Sequence, residues 1–209
     1  MSSQPAEVLD LSPFRKPLPD WALDILFREA RSNNGWLPGA VSDAEIHRLR
    51  ELIQWGPTSM NGNPARFVFI RSAEGKERLR PALPAANVDK VLQAPLTVII
   101  GYDPEFWKRL PELFPHKDTR PYYEGKPAFA EETAFRNSSL QGAYLMLGAR
   151  ALGYDVGPMS GFDQAKVNEA FFAGTTTRVN FLCNIGRGDP TKLWPRLPRP
   201  AFDDVCRLA

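Results

Sequence analysis

The stretch Gly56-Pro57-Thr58-Ser59-Met60-Asn61-Gly62-Asn63-Pro64-Ala65-Arg66 crowds hydroxyls, carboxamides and a guanidinium between two prolines. These groups donate and accept hydrogen bonds, and Gly56 and Gly62 let backbone come close to a ligand. The chemistry suited to such a loop is recognition of a flat polar molecule. An ordinary connection can have the same composition, so the remaining residues must decide. A nucleophilic role for Ser59 finds no base: the only histidines are His47, within a helical pattern, and His116, in a proline-rich loop. That scarcity also argues against zinc chemistry and a histidine triad. If the chain is an enzyme, the difficult chemistry belongs to a cofactor. A second candidate is Arg31-Ser32, where a guanidinium beside a hydroxyl can hold a phosphate through charge-assisted hydrogen bonds. A third is the turn Gly157-Pro158-Met159-Ser160-Gly161, and the tail adds Arg196 and Arg199. Basic residues near both ends meet only if the chain folds back on itself, and a phosphate would give them a common purpose.

Composition narrows the classes. A 209-residue chain with 43% hydrophobic residues can bury a sizeable core in one domain. A formal net charge of +2, with scattered basic residues, argues against a nucleic-acid surface. No apolar run reaches the roughly 18 residues of a membrane helix, and the polar N-terminus lacks a signal-peptide core, so a cytoplasmic protein is expected. Cys183 and Cys206 have neither metal-ligand nor redox-pair spacing and read as buried thiols.

The elements that position these residues can be taken in order. Residues 1–19 carry Pro5, Pro13, Pro17 and Pro19 and read as a loose arm; residues 20–209 form the domain. Asp20 is expected to cap a helix over Trp21 to Ala30, whose apolar face is Trp21, Ala22, Ile25 and Leu26. Ser42 and Glu45 have capping-box spacing for an amphipathic helix that runs into Trp55 and delivers the polar loop. A strand follows over 66–71, then a surface helix near Glu74 to Arg80 and a short one around Asn87 and Lys90. Leu96 to Gly101 is apolar and β-branched, as in a strand buried on both faces. Prolines break residues 102–130 into short helical pieces. Thr133 to Leu152 reads as a long helix with Leu140, Ala143, Tyr144, Leu147 and Ala151 on one buried face. Asp163 can cap a helix, and Thr177 to Ile185 alternates as a strand with Val179, Phe181, Cys183 and Ile185 on one face. Together these predict a single α+β layer fold.

The motifs Glu29-Ala30-Arg31-Ser32, Trp55 to Asn61 with Pro64-Ala65-Arg66-Phe67, Ser139-Leu140-Gln141-Gly142-Ala143-Tyr144, and Leu152-Gly153 through Gly157 to Asp163 occur in one order along the chain. In this arrangement the sequence resembles the FMN-dependent nitroreductase superfamily, particularly the branch of malonic semialdehyde reductases. The glycine-rich turn does not match the dinucleotide-binding fingerprint. The resemblance implies a central mixed, mainly antiparallel sheet flanked by helices in an intertwined homodimer. It implies that Arg31, Ser32 and Arg199 hold the FMN phosphate, and that Asn87 and Lys90 meet the pyrimidine end of the flavin. Pro158, Met159, Ser160 and Gly161 would face the flavin N5 region. Pro57, Thr58, Ser59 and Asn61 would close the cofactor site of the other subunit, with Asn63 and Arg66 as further contacts.

Three departures from the family pattern stand out. Many relatives place two basic residues before the serine, whereas Ala30 precedes Arg31 here. The basic position shortly after the serine holds Asn34. The frequent Gln-Pro-Trp becomes Asn63-Pro64-Ala65. Arg66 is then a candidate either to restore positive charge at the flavin or to bind a substrate carboxylate. The activity implied is ping-pong reduction by NADPH or NADH of a small electrophile such as malonic semialdehyde or another small aldehyde. Nitroaromatic or quinone reduction, and flavin binding without turnover, are the alternatives; no metal, membrane or nucleic-acid partner is implied.

Overall fold

The computed structural model describes residues 16–209, so the expected arm over 1–19 lies, for residues 1–15, outside the described residues. Pro19 precedes a short helix, Asp20–Leu23 (α1), which widens into a π-helical turn over Asp24–Arg28. Asp20 is thus the first helical residue rather than the cap. The regular helix expected to Ala30 ends early, at a turn tied back by Arg28 to both Asp20 and Asp24. On the expected apolar face, Ala22 and Leu26 are partly buried while Trp21 is 66% and Ile25 46% exposed.

Helix α2, Asp43–Ile53, starts with the capping box that Ser42 and Glu45 announce. Strand β1, Ala65–Ile70, follows the polar loop, and α3, Ala73–Leu79, and α4, Ala85–Gln93, lead to strand β2, Leu96–Tyr102. Short turns and helix α5, Leu110–Leu113, break up the proline-rich excursion. Helix α6 spans Pro127–Ala151, beginning a turn and a half before the expected start because Pro127 suits a first helical position. Strand β3, Asp155–Met159, helix α7, Gln164–Phe172, strand β4, Arg178–Gly186, and a last turn α8, Phe202–Val205, complete the order.

The sheet order is β1-β2-β4-β3. Among the described residues every strand pair is antiparallel, which corrects the expected mixed sheet, and parallel pairing is confined to an isolated bridge between Ser32 and Val156. As its β-branched run requires, β2 is buried throughout and serves two cores. Leu96, Val98 and Ile100 face α2 and α6, where Leu49, Ile53, Leu145 and Ala149 pack. Ile99 faces the opposite layer with Leu79, Val91, Val167 and Phe172. Strand β4 departs from simple alternation. Its register shifts opposite Ile100 and Gly101, which pair with Phe181 and Val179, so Asn180 bulges and Val179 turns into the second core, away from Phe181, Cys183 and Ile185.

The long helix also differs from expectation. Its inner face consists largely of small and polar residues, among them Ala134, Ser138, Gln141 and Gly142, which let it lie close to the sheet. Leu140 and Tyr144, expected to be buried in the core or at a subunit contact, are 48% and 38% exposed in the single chain. Burial raises the Cys183 thiol to about 12 and leaves it chemically quiet, whereas Cys206 is exposed. Among the described residues, no helix is long and apolar enough to cross a membrane, and no group of three His, Cys, Asp or Glu side chains could hold a metal.

Candidate functional site

The polar loop is shaped before any ligand arrives. Among the described residues, the non-glycine positions with positive φ are Met60 (51°), Asn61 (52°) and Asn63 (44°), all within this loop. Left-handed backbone is unfavourable for a methionine, so the surrounding contacts must impose it. Helix α6 provides them from two carboxamides one turn apart. Asn137 Oδ1 accepts the Ser59 N–H at 2.8 Å, and Gln141 Oε1 accepts the Ala65 N–H at 2.9 Å. The Gln141 amide donates in turn to Asn63 Oδ1 at 3.2 Å, while Asn61 donates to the Leu113 carbonyl at 2.8 Å. Thr58 Oγ1 accepts the Asn63 N–H at 3.1 Å. Arg66 donates to the carbonyls of Asn63 and Ala65, and its Nη2 lies 2.7 Å from Asp103 Oδ2. Pro57, Ser59 and Asn61 remain exposed at the surface. The loop therefore presents a fixed polar edge, beside which Trp55 stands 79% exposed.

A second constellation forms where the chain ends meet. A cleft of about 690 Å³ is lined by Arg31, Ser32, Lys90 and Arg199, and also by Arg28, Arg150 and Arg196; among the described residues its lining includes no carboxylate. The N-terminal segment is held there by sheet-like pairing: the Asn33 N–H donates to the Val156 carbonyl at 2.9 Å and the Leu37 N–H to the Arg187 carbonyl at 2.8 Å. Lys90 is fixed through its backbone, because its carbonyl accepts both Trp36 Nε1 at 2.9 Å and Asn184 Nδ2 at 3.1 Å. Asn184 is buried in the sheet and also accepts the Thr97 hydroxyl at 2.7 Å. The tail closes the other wall, where Arg31 donates to the Trp194 carbonyl.

The turn after β3 continues this site. Asn87 Nδ2 donates to the Gly161 carbonyl at 3.0 Å, joining α4 to the segment Pro158-Met159-Ser160-Gly161. Ser32 lies opposite Val156, four residues before Ser160 on the same strand and its exit, a run of about 13 Å. An elongated molecule with an anionic end at Arg31, Ser32 and Arg199 thus has polar partners at its two ends, the second set being Asn87 and the Ser160 turn. Cations without lining carboxylates suit a phosphate monoester, which carries up to about two negative charges.

The structure brings Arg31, Ser32, Lys90 and Arg199 to one cleft, and Asn87 and 158–161 beside it. It places the loop residues elsewhere. From Ser32 across β3, β4 and β2 to β1 is four interstrand spacings, about 19 Å. Along the strands, Val156 is level with Ile185 and Leu96, whereas Arg66 is level with Gly101, about 17 Å further. The two constellations occupy diagonal corners of the sheet. Sequence reading did not single out Asn137, Arg150 or Asp103. The available signal for the first was its i, i+4 spacing from Gln141, which puts two carboxamides on one face of the helix.

Comparison with known proteins bears on the family and the fold. The sequence profile of the family described as Nitroreductase family matches residues 28–187. A Burkholderia lata protein, provisionally named NADH dehydrogenase/NAD(P)H nitroreductase, is 59% identical over 191 residues, covering 91% of this chain and 98% of the relative. The crystal structure of the Bacillus subtilis nitroreductase-like protein ydfN superposes with a TM-score of 0.83 at 23% identity, covering 91% of this chain and 100% of the other. A nitroreductase-like protein of Exiguobacterium sibiricum, solved in complex with FMN, gives a TM-score of 0.79 at 24% identity, covering 90% of this chain and 96% of the other.

Proposed function

The chain belongs to the nitroreductase family, and on that premise we propose that it is an FMN-dependent oxidoreductase that uses NAD(P)H to reduce a small electrophile. The observation that carries the reading is the cleft formed by Arg31, Ser32, Lys90 and Arg199 at one end of β3, with no carboxylate lining it among the described residues. Bound FMN would supply hydride exchange between a nicotinamide and the substrate, which is why no protein nucleophile is needed. The chain's own residues bind and orient. Arg31, Ser32 and Arg199 would hold the phosphate, and Lys90, whose backbone is anchored, would bring a positive charge to the flavin. Asn87 fixes the Ser160 turn, whose backbone would face the flavin.

The loop Pro57, Thr58, Ser59, Asn61 and Asn63 serves the site of a second copy in a homodimer. The diagonal separation within one chain supports this, as does the exposed apolar surface of Trp55, Leu140 and Tyr144 beside the loop. Arg66 acts by holding the loop through Asp103. The resemblance of the motifs puts small aldehydes such as malonic semialdehyde first among acceptors, and nitroaromatics and quinones second.

Purified protein is expected to be yellow, to bleach anaerobically with NADPH or NADH, and to regain colour on adding an acceptor from an aldehyde, nitroaromatic and quinone panel. A colourless protein that FMN cannot reconstitute would end the cofactor reading. Colour without NAD(P)H oxidation would leave a flavin-binding protein and remove the reductase.

A further inference from the structure

The segment at the phosphate end of the cleft brings a single guanidinium of its own, since the residue before Arg31 is Ala30 and Ser32 is followed by the neutral Asn33 and Asn34. Arg66 cannot restore the charge within its own chain: it sits at the diagonal corner of the sheet, with its donors given to Asp103, Asn63 and Ala65. Two further arginines of the cleft already face carboxylates, Arg28 with Asp20 and Asp24, and Arg196 with Glu29 at 3.7 Å. Arg150 differs. It lines the cleft from the last turn of α6, and among the described residues no carboxylate lies within 4.0 Å of it.

The Arg150 side chain is half-buried, and among the described residues its hydrogen bond runs from Nη1 to the Leu26 carbonyl at 3.2 Å. A guanidinium has five N–H donors, and a partly desolvated charge with so few partners is unfavourable until an anion completes it. Burial accordingly lowers its pKa from the usual arginine value. We infer that Arg150 is a ligand of the FMN phosphate and supplies the charge that Ala30 and Asn34 do not. This rests on the cofactor reading above. Its anchor on a helix whose inner face is in the core keeps the guanidinium preorganised, and its grip on Leu26 steadies the backbone leading to Arg31.

The test compares FMN with riboflavin, which has the same ring and no phosphate. Full-length protein freed of bound flavin is titrated with each, following quenching of flavin fluorescence, for wild type, Arg150→Gln and Arg150→Lys. Wild type binds FMN more tightly than riboflavin. Arg150→Gln weakens FMN binding by about ten- to a hundredfold and leaves riboflavin affinity unchanged, the loss expected for a charge-assisted hydrogen bond. Arg150→Lys keeps the charge, loses the fork and falls between the two, which also serves should the glutamine variant not fold. Equal weakening of both flavins would make Arg150 a structural residue, and no change in FMN affinity would remove it from the site; either outcome overturns the inference alone. A wild type that binds FMN no better than riboflavin would overturn the phosphate cleft itself, and the inference with it.

Discussion

Replacing Gly157 by alanine tests how the phosphate segment is held. Gly157 lies in β3 opposite Asn184, and a Cβ built on it would sit 2.4 Å from the Asn33 carbonyl oxygen and 3.1 Å from Trp36 Cζ2. Real Cβ atoms essentially never approach other heavy atoms below 3.0 Å, so the carbonyl must retreat by at least about 0.6 Å, the difference between 3.0 and 2.4 Å. It cannot swing aside as a side chain would. It is main chain, and its own N–H is bonded to Val156 at 2.9 Å, one residue from the substitution. Overpacking of this kind costs about 1–3 kcal/mol. At roughly 2–4 °C per kcal/mol for a chain of this length, the melting temperature should fall by about 2–12 °C.

The functional consequence is separate from the thermal one. Asn33 follows Ser32 directly, so its displacement moves the hydroxyl and Arg31 relative to Lys90 and Arg199, and FMN affinity should fall more than riboflavin affinity. Gly153→Ala provides the control. That glycine has a φ of +82° with nothing within 4 Å of an added Cβ, so the variant should lose stability through backbone strain without losing FMN preference. Thermal melts and flavin titrations on both variants decide the matter. If Gly157→Ala melts like wild type and binds FMN equally well, the close approach of β3 to residues 31–34 does not position the site.

Asn137→Leu removes the acceptor for the Ser59 N–H and should destabilise the chain by about 1–2 kcal/mol. It should also weaken flavin retention, read by the rate of flavin loss on dilution, with the preference for FMN over riboflavin intact. Mixed dimers of Asn137→Leu chains with Arg31→Gln chains should recover activity at one of their two sites, because one site then combines an intact phosphate cleft with an intact loop; mixtures with no recovery would refute loop exchange. The Glu45 carboxyl is held at about 2, first by the Tyr154 hydroxyl and then by Ser42, while burial and Glu45 raise Tyr154 to about 12. A depressed carboxylate stabilises above its ordinary value of 4.5, and that stability disappears as pH falls from 4.5 toward 2. Urea midpoints should therefore show wild type ahead of Tyr154→Phe at pH 6, with the gap narrowing at pH 3.

Local signals carried much of the fold into the sequence. The capping box at Ser42 and Glu45, the cap at Asp163 and the β-branched run of β2 each depend on neighbours a few residues away, and each forms where expected. What was not legible depends on distant partners. The π-helical turn at 24–28 is stabilised by Arg28 reaching back to Asp20, and the bulge at Asn180 belongs to pairing with β2, where Asn180 also gives its amide protons to Ser138 and Ser139. Periodicity marked Leu140 and Tyr144 as one apolar face of α6. It could not say that the sheet takes the other face, since small residues approach a sheet closely without raising hydrophobicity.

The same limit explains the site. Arg31 and Arg199 stand at opposite ends of the chain, and their meeting follows from residues 31–37 pairing along β3 and β4 while the tail returns across them. The polar loop is close to Arg31 in sequence, yet β1 and the Ser32 segment flank opposite edges of a four-stranded sheet. Sequence proximity favours one shared site, whereas sheet order separates the two constellations by about 19 Å across the strands and about 17 Å along them. A loop fixed by Asn137 and Gln141 cannot swing over that distance without giving up the hydrogen bonds that define its left-handed backbone. If both constellations touch one flavin, a second chain must bring the other half, and the exposed apolar surface of Trp55, Leu140 and Tyr144 is where it would dock.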